Sequence, residues 1–499
     1  MFSRRRFLQL APSGLILGST LGSAVGSAMM SGRAQAFSIP VSGVERLTRM
    51  LVETPRAELL PLLVTKINQG IFPRSLLASL TMAAVHHVEP YPDVGFKYHA
   101  VMMLSSVHNT LRHLDESEQW LGMLWAADTF KQAQRHDTFN GDWQLADAIE
   151  ASSNDPMGDF VRAMDSWDGE GADIAISQLA GEADLDELFP LLFYYGARDF
   201  RDIGHKTITV SNSYRLLRLF GDAYAEPVLR STVYALLNHE GVSNPSTSDH
   251  AADKPWRANV HFATLFPLSW EEGKPDPLLV PEVLNALRSA RADETGSLVV
   301  DMLQQSIAPQ TLWDGIILSA GELLARVSGI TSVHANTSIN AMYYGYKRSD
   351  DDRTKRMLLL QAMSFVTLFR DLLGDRRKGI MIDNMEPLET IPVGDDAQQT
   401  FGELFASISE NRSVASRQLL HILQQGGDAN LYRALGRFHT MQQNAGYHDY
   451  KFTEAAFENS YAVSPEWRDR YLAASVYYMN GSGDKLNTVV SQASELLQS

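Results

Sequence analysis

Apolar residues recur every three or four positions along most of the chain, which is the spacing of one face of an α-helix. The pattern is clear at residues 59–67, 76–85, 101–114, 120–130, 188–195, 228–237, 298–307, 312–327, 357–373, 404–422 and 471–478. Glycine, proline and asparagine separate these segments, as they do at helix ends. One run, residues 207–210, has the composition of a strand, but its flanks have helical spacing. The pattern predicts an all-α fold.

Residues 332–346 predict a helix with a histidine at the head of a stripe of small side chains. Helical spacing places His334, Ser338, Ala341 and Gly345 on one face, and large apolar side chains cover the opposite face. Small side chains let a neighbouring helix approach closely. We therefore expect His334 to face that neighbour.

Three segments share the same order of features, namely a histidine, a helix, a polar turn and a second apolar helix. They are residues 99–131, 205–237 and 334–369. The spacing between them is much longer than familiar solenoid periods, so each repeat would contain several helices. We expect degenerate helical-hairpin repeats, followed by a C-terminal helical extension.

Changes in composition suggest the division of the chain. Residues 43–375 form the predicted repeat domain, with a proline-containing excursion at 238–281 that is either a lid over a cavity or a surface insertion. Residues 376–399 combine a basic run with prolines and glycine, which predicts a linker. Residues 400–499 form the predicted C-terminal helical region.

The N-terminal 36 residues have the pattern of a twin-arginine export signal. Three consecutive arginines within residues 3–9 precede a weakly apolar run at 11–30 and a small-x-small cleavage site at 34–36. Glycines, serines and a proline interrupt the run, so a permanent membrane anchor is the less favoured alternative. We expect a periplasmic or otherwise extracytoplasmic protein, with the twin-arginine export machinery as a partner and no integral membrane span in the mature chain.

Composition and missing motifs narrow the chemistry. The chain has no cysteine and a net charge of −16, which excludes disulfides and thiolate chemistry and disfavours nucleic acid as a partner. It lacks the His-Glu-x-x-His, Gly-x-x-x-x-Gly-Lys, Gly-x-Gly-x-x-Gly and Gly-x-Ser-x-Gly motifs. Zincin, P-loop, Rossmann and α/β-hydrolase functions are therefore disfavoured.

Asp202 and His205 form the sharpest local cluster of chemical groups. Their three-residue spacing places a carboxylate beside an imidazole on one helical face. The carboxylate could orient His205, or both side chains could bind a metal. The alternative is a surface pair near the start of a helix.

Further histidines extend this candidate site. We expect His99, His205 and His334 to converge on one cavity, with Asp202, as catalytic groups. His448 lies in a short stretch rich in hydrogen-bonding groups, which is either a fourth contributor or a locally capped loop before a helix. Together His99, His205, His334 and His448 are the candidate ligands of a bound transition metal. The cofactor itself is otherwise unspecified.

The third histidine-led segment resembles the final repeat of questin-oxidase-like proteins. The shared features are His-Ala-Asn-Thr at 334–337, Ala-Met at 341–342 and Leu-Leu-Gln-Ala at 359–362. The similarity covers residues 95–375, whereas the proline-containing excursion, the C-terminal region and the export signal depart from that family. The resemblance implies a helical protein linked to oxygenation of aromatic polyketides.

Two functions follow from these patterns. The first is an exported oxidoreductase with a histidine-lined pocket, acting on a hydrophobic or aromatic small molecule against a wall of tyrosine and methionine. It requires the histidines to lie within several ångströms of one another. The second is a non-catalytic helical-repeat protein that binds a ligand or another protein, with the histidines as packing residues.

Overall fold

The computed structural model describes residues 40–90, 99–150, 152–238, 244–394 and 396–499. The predicted export signal at 1–36 lies outside these residues. The described residues form helices, turns and loops, with one isolated β-bridge between Lys274 and Ile307 and no strand. The prediction of an all-α fold is confirmed.

The helices before residue 264 are α1 (Val41–Glu53), α2 (Arg56–Asn68), α3 (Pro73–His87), α4 (His99–Met102), α5 (Leu104–Leu111), α6 (Glu116–Phe139), α7 (Pro156–Ser166), α8 (Gly169–Glu182), α9 (Leu185–Gly196), α10 (His205–Phe220), α11 (Ala225–Leu236) and α12 (Lys254–Ala263). The strand-like run at 207–210 lies inside α10, as its flanks predict.

The helices that follow are α13 (Val280–Leu287), α14 (Thr295–Gln304), α15 (Pro309–Arg326), α16 (Ile330–Arg348), α17 (Asp352–Leu373), α18 (Ala397–Glu410), α19 (Arg412–Gln424), α20 (Ala429–Gln443), α21 (Tyr447–Ala462), α22 (Pro465–Ser475) and α23 (Thr488–Gln498). Short 3-10 turns occupy Asp222–Tyr224, Pro277–Leu279, Ile382–Asn384 and Val476–Tyr478.

Short acidic and amide side chains begin many of these helices. Each accepts a hydrogen bond from a backbone N–H of the first turn, which would otherwise have no partner within the helix. The capping residues are Asp155, Asp168, Asp184, Asp351, Asp396, Asn411, Asp428 and Asn487. The sequence therefore fixes many helix starts locally, before tertiary packing contributes.

Helix α16 lies at the centre of the packed helices and contacts α9, α10, α15, α17 and α21. Its small-residue face meets two neighbours. Ser338 lies against Gly204 at the start of α10, and Gly345 lies against the ring of Phe193 in α9. The close approach predicted for this face is therefore present on two sides.

A methyl group added at Gly345 is expected to destabilise the protein. A Cβ atom there would lie 2.6 Å from Cδ1 of Phe193, closer than packed carbon atoms tolerate. We expect Gly345→Ala to lower the free energy of unfolding by about 1–2 kcal/mol, measured by urea denaturation. Gly402→Ala is the matched control, because its Cβ atom in α18 would meet no heavy atom within 4 Å. Gly402→Ala is expected to raise the free energy of unfolding by about 0.5–1 kcal/mol. A similar rise for Gly345→Ala would contradict the close packing of Gly345 against Phe193.

The three histidine-led segments form helix pairs with one difference from the prediction. A short connection at 221–224 separates α10 from α11, and another at 349–351 separates α16 from α17, as the predicted polar turns require. In the first segment the helix is interrupted at Met103, between α4 and α5, before α6 follows. That the three segments are repeats of one structural unit stays a prediction.

The described part of the proline-containing excursion is folded rather than extended. It contains α12, which packs against α14 and α17, and the indole of Trp270 donates a hydrogen bond of 2.8 Å to Asp352. The segment from α12 to Trp270 is thereby fastened to α17, and Trp270 holds the first turn of that helix. Residues 239–243 lie outside the described residues.

Residues Ser38–Ser499 form one compact unit, which contains the predicted linker at 376–399. The described part of that linker is held by ion pairing between Asp383 and Arg288. Beyond it, α21 packs against α16, and α22 packs against α15. None of the described helices combines the length and apolar character of a membrane span.

Candidate metal centre

Four histidines from four helices lie together in the interior. His99 begins α4, His205 begins α10, His334 lies in α16 and His448 lies in the first turn of α21. The side chains of His99, His205 and His334 are completely buried, and His448 is partly buried. The structure thus brings together every histidine that the sequence pattern singles out as a candidate ligand.

The ring nitrogens point at one another. Nε2 of His334 lies 3.0 Å from Nε2 of His205, which lies 3.4 Å from Nε2 of His99. His99, His334 and His448 each offer a nitrogen within 4.8 Å of the others. Nε2 of His448 is buried and has no hydrogen-bond partner among the described residues. His99, His334 and His448 could therefore hold one ion between them, and Nε2 of His205 adjoins two of these rings, those of His334 and His99.

The opposite nitrogens of two rings are held by backbone carbonyls. Nδ1 of His205 lies 2.6 Å from the carbonyl oxygen of Asp202, and Nδ1 of His334 lies 2.8 Å from that of Ile330. A carbonyl oxygen only accepts, so each Nδ1 carries a hydrogen and donates it. In the neutral rings, Nε2 of His205 and of His334 therefore both carry lone pairs.

Two lone pairs facing each other at 3.0 Å repel unless a cation lies between them. A proton is a poor candidate, because burial and then the positive charge of Lys451 lower the pKa of His334 to about 3. Burial also holds the pKa of His205 well below its usual range. Nitrogens bound to one metal at about 2.0–2.1 Å lie about 3.3 Å apart in tetrahedral geometry. The observed separations fit a shared transition-metal ion, and carbonyl-bound Nδ1 atoms are the usual outer support of such ligands.

The local backbone explains how His205 reaches His334. Ile203 and Gly204 both have positive φ, +47° and +81°, so the chain turns sharply into α10 and folds the His205 ring back onto the Asp202 carbonyl. Because Gly204 has no Cβ atom, this turn lies directly against Ser338, one turn after His334 on α16. Glycine at 204 is required both by its φ and by this contact.

Helix α21 supplies two further groups. Nζ of Lys451 lies 3.0 Å from Nδ1 of His99, and the ring of Tyr447 stacks on His99 with centroids 4.0 Å apart. Burial lowers the pKa of Lys451 to about 7. Sequence reasoning gave neither residue a role. The three-residue spacing of His448 and Lys451 was the available signal, since it places both on one helical face.

The sequence interpretation of the stretch around His448 needs one correction. Residues 448–451 lie inside α21, which begins at Tyr447, and not in a loop before a helix. Asp449 does bind the start of the helix, because its carboxylate accepts a hydrogen bond of 2.7 Å from the backbone N–H of Ala445.

The role predicted for the Asp202 carboxylate is also corrected. That carboxylate lies 3.6 Å from Nζ of Lys206, in the first turn of α10, and it is the backbone carbonyl that contacts His205. Lys206 is fully buried and also pairs with Asp199. Burial raises the pKa of Asp202 to about 7. The side chain belongs to a buried ion cluster next to the histidines.

Asp202→Asn is accordingly expected to leave metal affinity unchanged within about threefold, because it keeps the carbonyl that orients His205. Equilibrium dialysis against Co²⁺ measures this affinity. If the carboxylate were the group that supports the ligand, the loss would be about 10- to 100-fold. Such a loss would contradict the assignment of Asp202 to the ion cluster.

A small polar cavity lies beside the histidine cluster and shares Lys451 with it. Its volume is about 20 Å³, enough for one or two water molecules. Hydroxyl, amide and charged groups dominate the lining, among them Ser106, Asn109, Asn212, Arg215, Lys451 and Glu458. The predicted substrate wall of tyrosine and methionine does not line this cavity.

Comparison of the chain with protein-family models, curated proteins and solved structures finds no match. The resemblance to questin-oxidase-like proteins therefore stays a prediction.

Proposed function

We propose that the protein is an extracytoplasmic oxidoreductase built around one transition-metal ion bound by His99, His205, His334 and His448. The observation that carries the proposal is the pair of Nε2 lone pairs of His205 and His334, 3.0 Å apart with both Nδ1 atoms donating to carbonyls. A cation between them would stabilise neutral, buried imidazoles in this arrangement.

The donor set narrows the choice of metal. Imidazole suits zinc, copper, iron and nickel, whereas magnesium and calcium prefer oxygen ligands. A bound redox metal would supply one-electron chemistry and activation of a small oxygen species. The resemblance to questin-oxidase-like proteins supports the oxidoreductase assignment. The twin-arginine pattern supports export of a folded chain with its cofactor already loaded.

A non-catalytic binding protein is the second candidate, and the size of the cavity favours it. A volume of about 20 Å³ does not accommodate an aromatic substrate unless side chains move. In that case the metal would tie α4, α10, α16 and α21 together, as structural metals do.

Elemental analysis separates these functions. The mature protein is purified from a host with a working twin-arginine pathway, and its metals are quantified. About one equivalent of iron or copper supports the oxidoreductase, and about one equivalent of zinc favours the structural role or hydrolytic chemistry. Metal-free protein that also fails to take up Co²⁺, Cu²⁺ or Zn²⁺ by dialysis would overturn the metal centre.

A further inference from the structure

The polar cavity is built by the same helices that carry the histidines. Its lining residues follow each histidine by one to three helical turns: Ser106 after His99, Asn212 after His205, Asn340 after His334, and Lys451 and Glu458 after His448. Ser105, Ser211, Ala341 and Ala455 are small and leave the space open. The cavity is thus a continuation of the histidine cluster along the helix axes.

Lys451 connects the cavity to the cluster and has unused hydrogen-bonding capacity. Its nitrogen contacts Nδ1 of His99 at 3.0 Å, which is its one hydrogen bond among the described residues. An ammonium that donates to His99 keeps two further N–H groups, and an amine that accepts from His99 also keeps two. In either state, a side chain that lines the cavity and is 3 % exposed keeps two N–H donors without a partner among the described residues.

The other charged groups of the lining already have partners. Arg215 and Glu458 form a two-point ion pair with N–O distances of 2.6 and 2.7 Å. Glu454 accepts hydrogen bonds from Arg437 and Thr110 at 2.8 and 2.9 Å. A charged guest would have to displace these pairs at a large desolvation cost, whereas a neutral guest would not.

We propose that this cavity is a binding subsite for a small uncharged oxygen compound of about two heavy atoms, such as hydrogen peroxide, held by the two N–H groups of Lys451. The guest would lie one imidazole ring away from the metal, with His99 between them. The proposal rests on the proposed function for the guest's role beside the metal. Occupation of the cavity is testable without any metal.

Formaldehyde is a suitable probe because it is neutral, has two heavy atoms and carries an oxygen acceptor. Its carbonyl carbon forms a bond to the lysine nitrogen with loss of water, which gives an imine. After a timed exposure the protein is unfolded in cyanoborohydride, so this anionic reductant converts the imine to a methylated amine without having to enter the cavity. Peptide mass spectrometry measures the rate at each lysine. Lys378, which is exposed, is the positive reference, and Lys206, which is fully buried, is the negative reference.

We expect Lys451 to be methylated at least about tenfold faster than Lys206, which reacts only through local unfolding. Benzaldehyde, too large for the cavity, is expected to label Lys378 and not Lys451. Ser106→Leu should fill the cavity and slow the labelling of Lys451 by about tenfold. Ser491→Leu, at a half-buried serine of α23, should leave the rate unchanged.

Labelling of Lys451 no faster than that of Lys206 would overturn the subsite, even in a protein that binds one metal ion. Equal labelling by formaldehyde and benzaldehyde would overturn its size selectivity. A protein that binds no metal but shows the expected labelling would keep the subsite and lose the proposed function. The experiments can therefore refute the subsite and the metal centre independently of each other.

Discussion

His205→Ala is expected to abolish stoichiometric metal binding. His205 holds the middle position of the cluster, with its Nε2 atom 3.0 Å from that of His334 and 3.4 Å from that of His99. Removing it takes away one ligand and also the facing lone pair that makes a cation necessary. Loss of an outer support costs about 10- to 100-fold in affinity, so loss of a ligand should cost about 100-fold or more.

Metal content by elemental analysis and affinity by Co²⁺ titration measure the effect. The matched control is His439→Ala, because His439 is 3 % exposed, lies in α20 and bonds to Gln443 outside the cluster. Both variants lose a buried imidazole, so both should lose similar stability, but only His205→Ala should lose the metal. Full metal content in His205→Ala would remove His205 from the ligand set.

Acidification is expected to destabilise the metal-free protein steeply below about pH 6.5. Burial lowers the pKa of His334 to about 3 and that of His448 to about 2, from an ordinary value of 6.5. At pH values between these folded-state pKa values and 6.5, the unfolded chain binds protons that the folded chain does not. The contribution of the buried histidines to the free energy of unfolding is therefore complete above pH 6.5 and is lost as the pH falls. Each such histidine contributes a slope of about 1.4 kcal/mol per pH unit.

Urea denaturation between pH 7 and pH 4 tests this prediction. His448→Gln removes one contributor, so its stability should fall less steeply than that of the wild type, by about 1.4 kcal/mol per pH unit. Parallel curves for the two proteins would contradict a buried, neutral His448.

Saturating the wild-type protein with metal at pH 7, at about 100 times the dissociation constant, should raise its free energy of unfolding by about 2.7 kcal/mol.

The helices and all four candidate metal ligands could be predicted from the sequence. Helical periodicity and asparagine or aspartate caps are local signals, and His99, His205 and His334 stand at comparable places in three helix pairs. The convergence of their ring nitrogens could not be predicted from the sequence, because it depends on the positive φ of Gly204 and on the contact of Gly204 with Ser338. Packing between distant helices leaves no spacing signal in the chain.

The error at Asp202 has a similar origin. Three-residue spacing predicts a contact between Asp202 and His205 on one helix, but α10 begins only at His205. Asp202 precedes the helix, and its carboxylate pairs with Lys206 instead. The contact with Lys451 was also hidden, since it joins residues far apart in the chain. Spacing identifies which groups share a face, and tertiary charge pairing decides which of them meet.

The most direct test of the metal centre is a crystal structure of the metal-loaded protein with anomalous data collected on both sides of the metal's absorption edge. We expect one anomalous peak bounded by His99, His205, His334 and His448, with metal–nitrogen distances of about 2.0–2.2 Å. Protein that has taken up metal but shows its peak elsewhere, or shows none inside this cluster, would contradict the assignment.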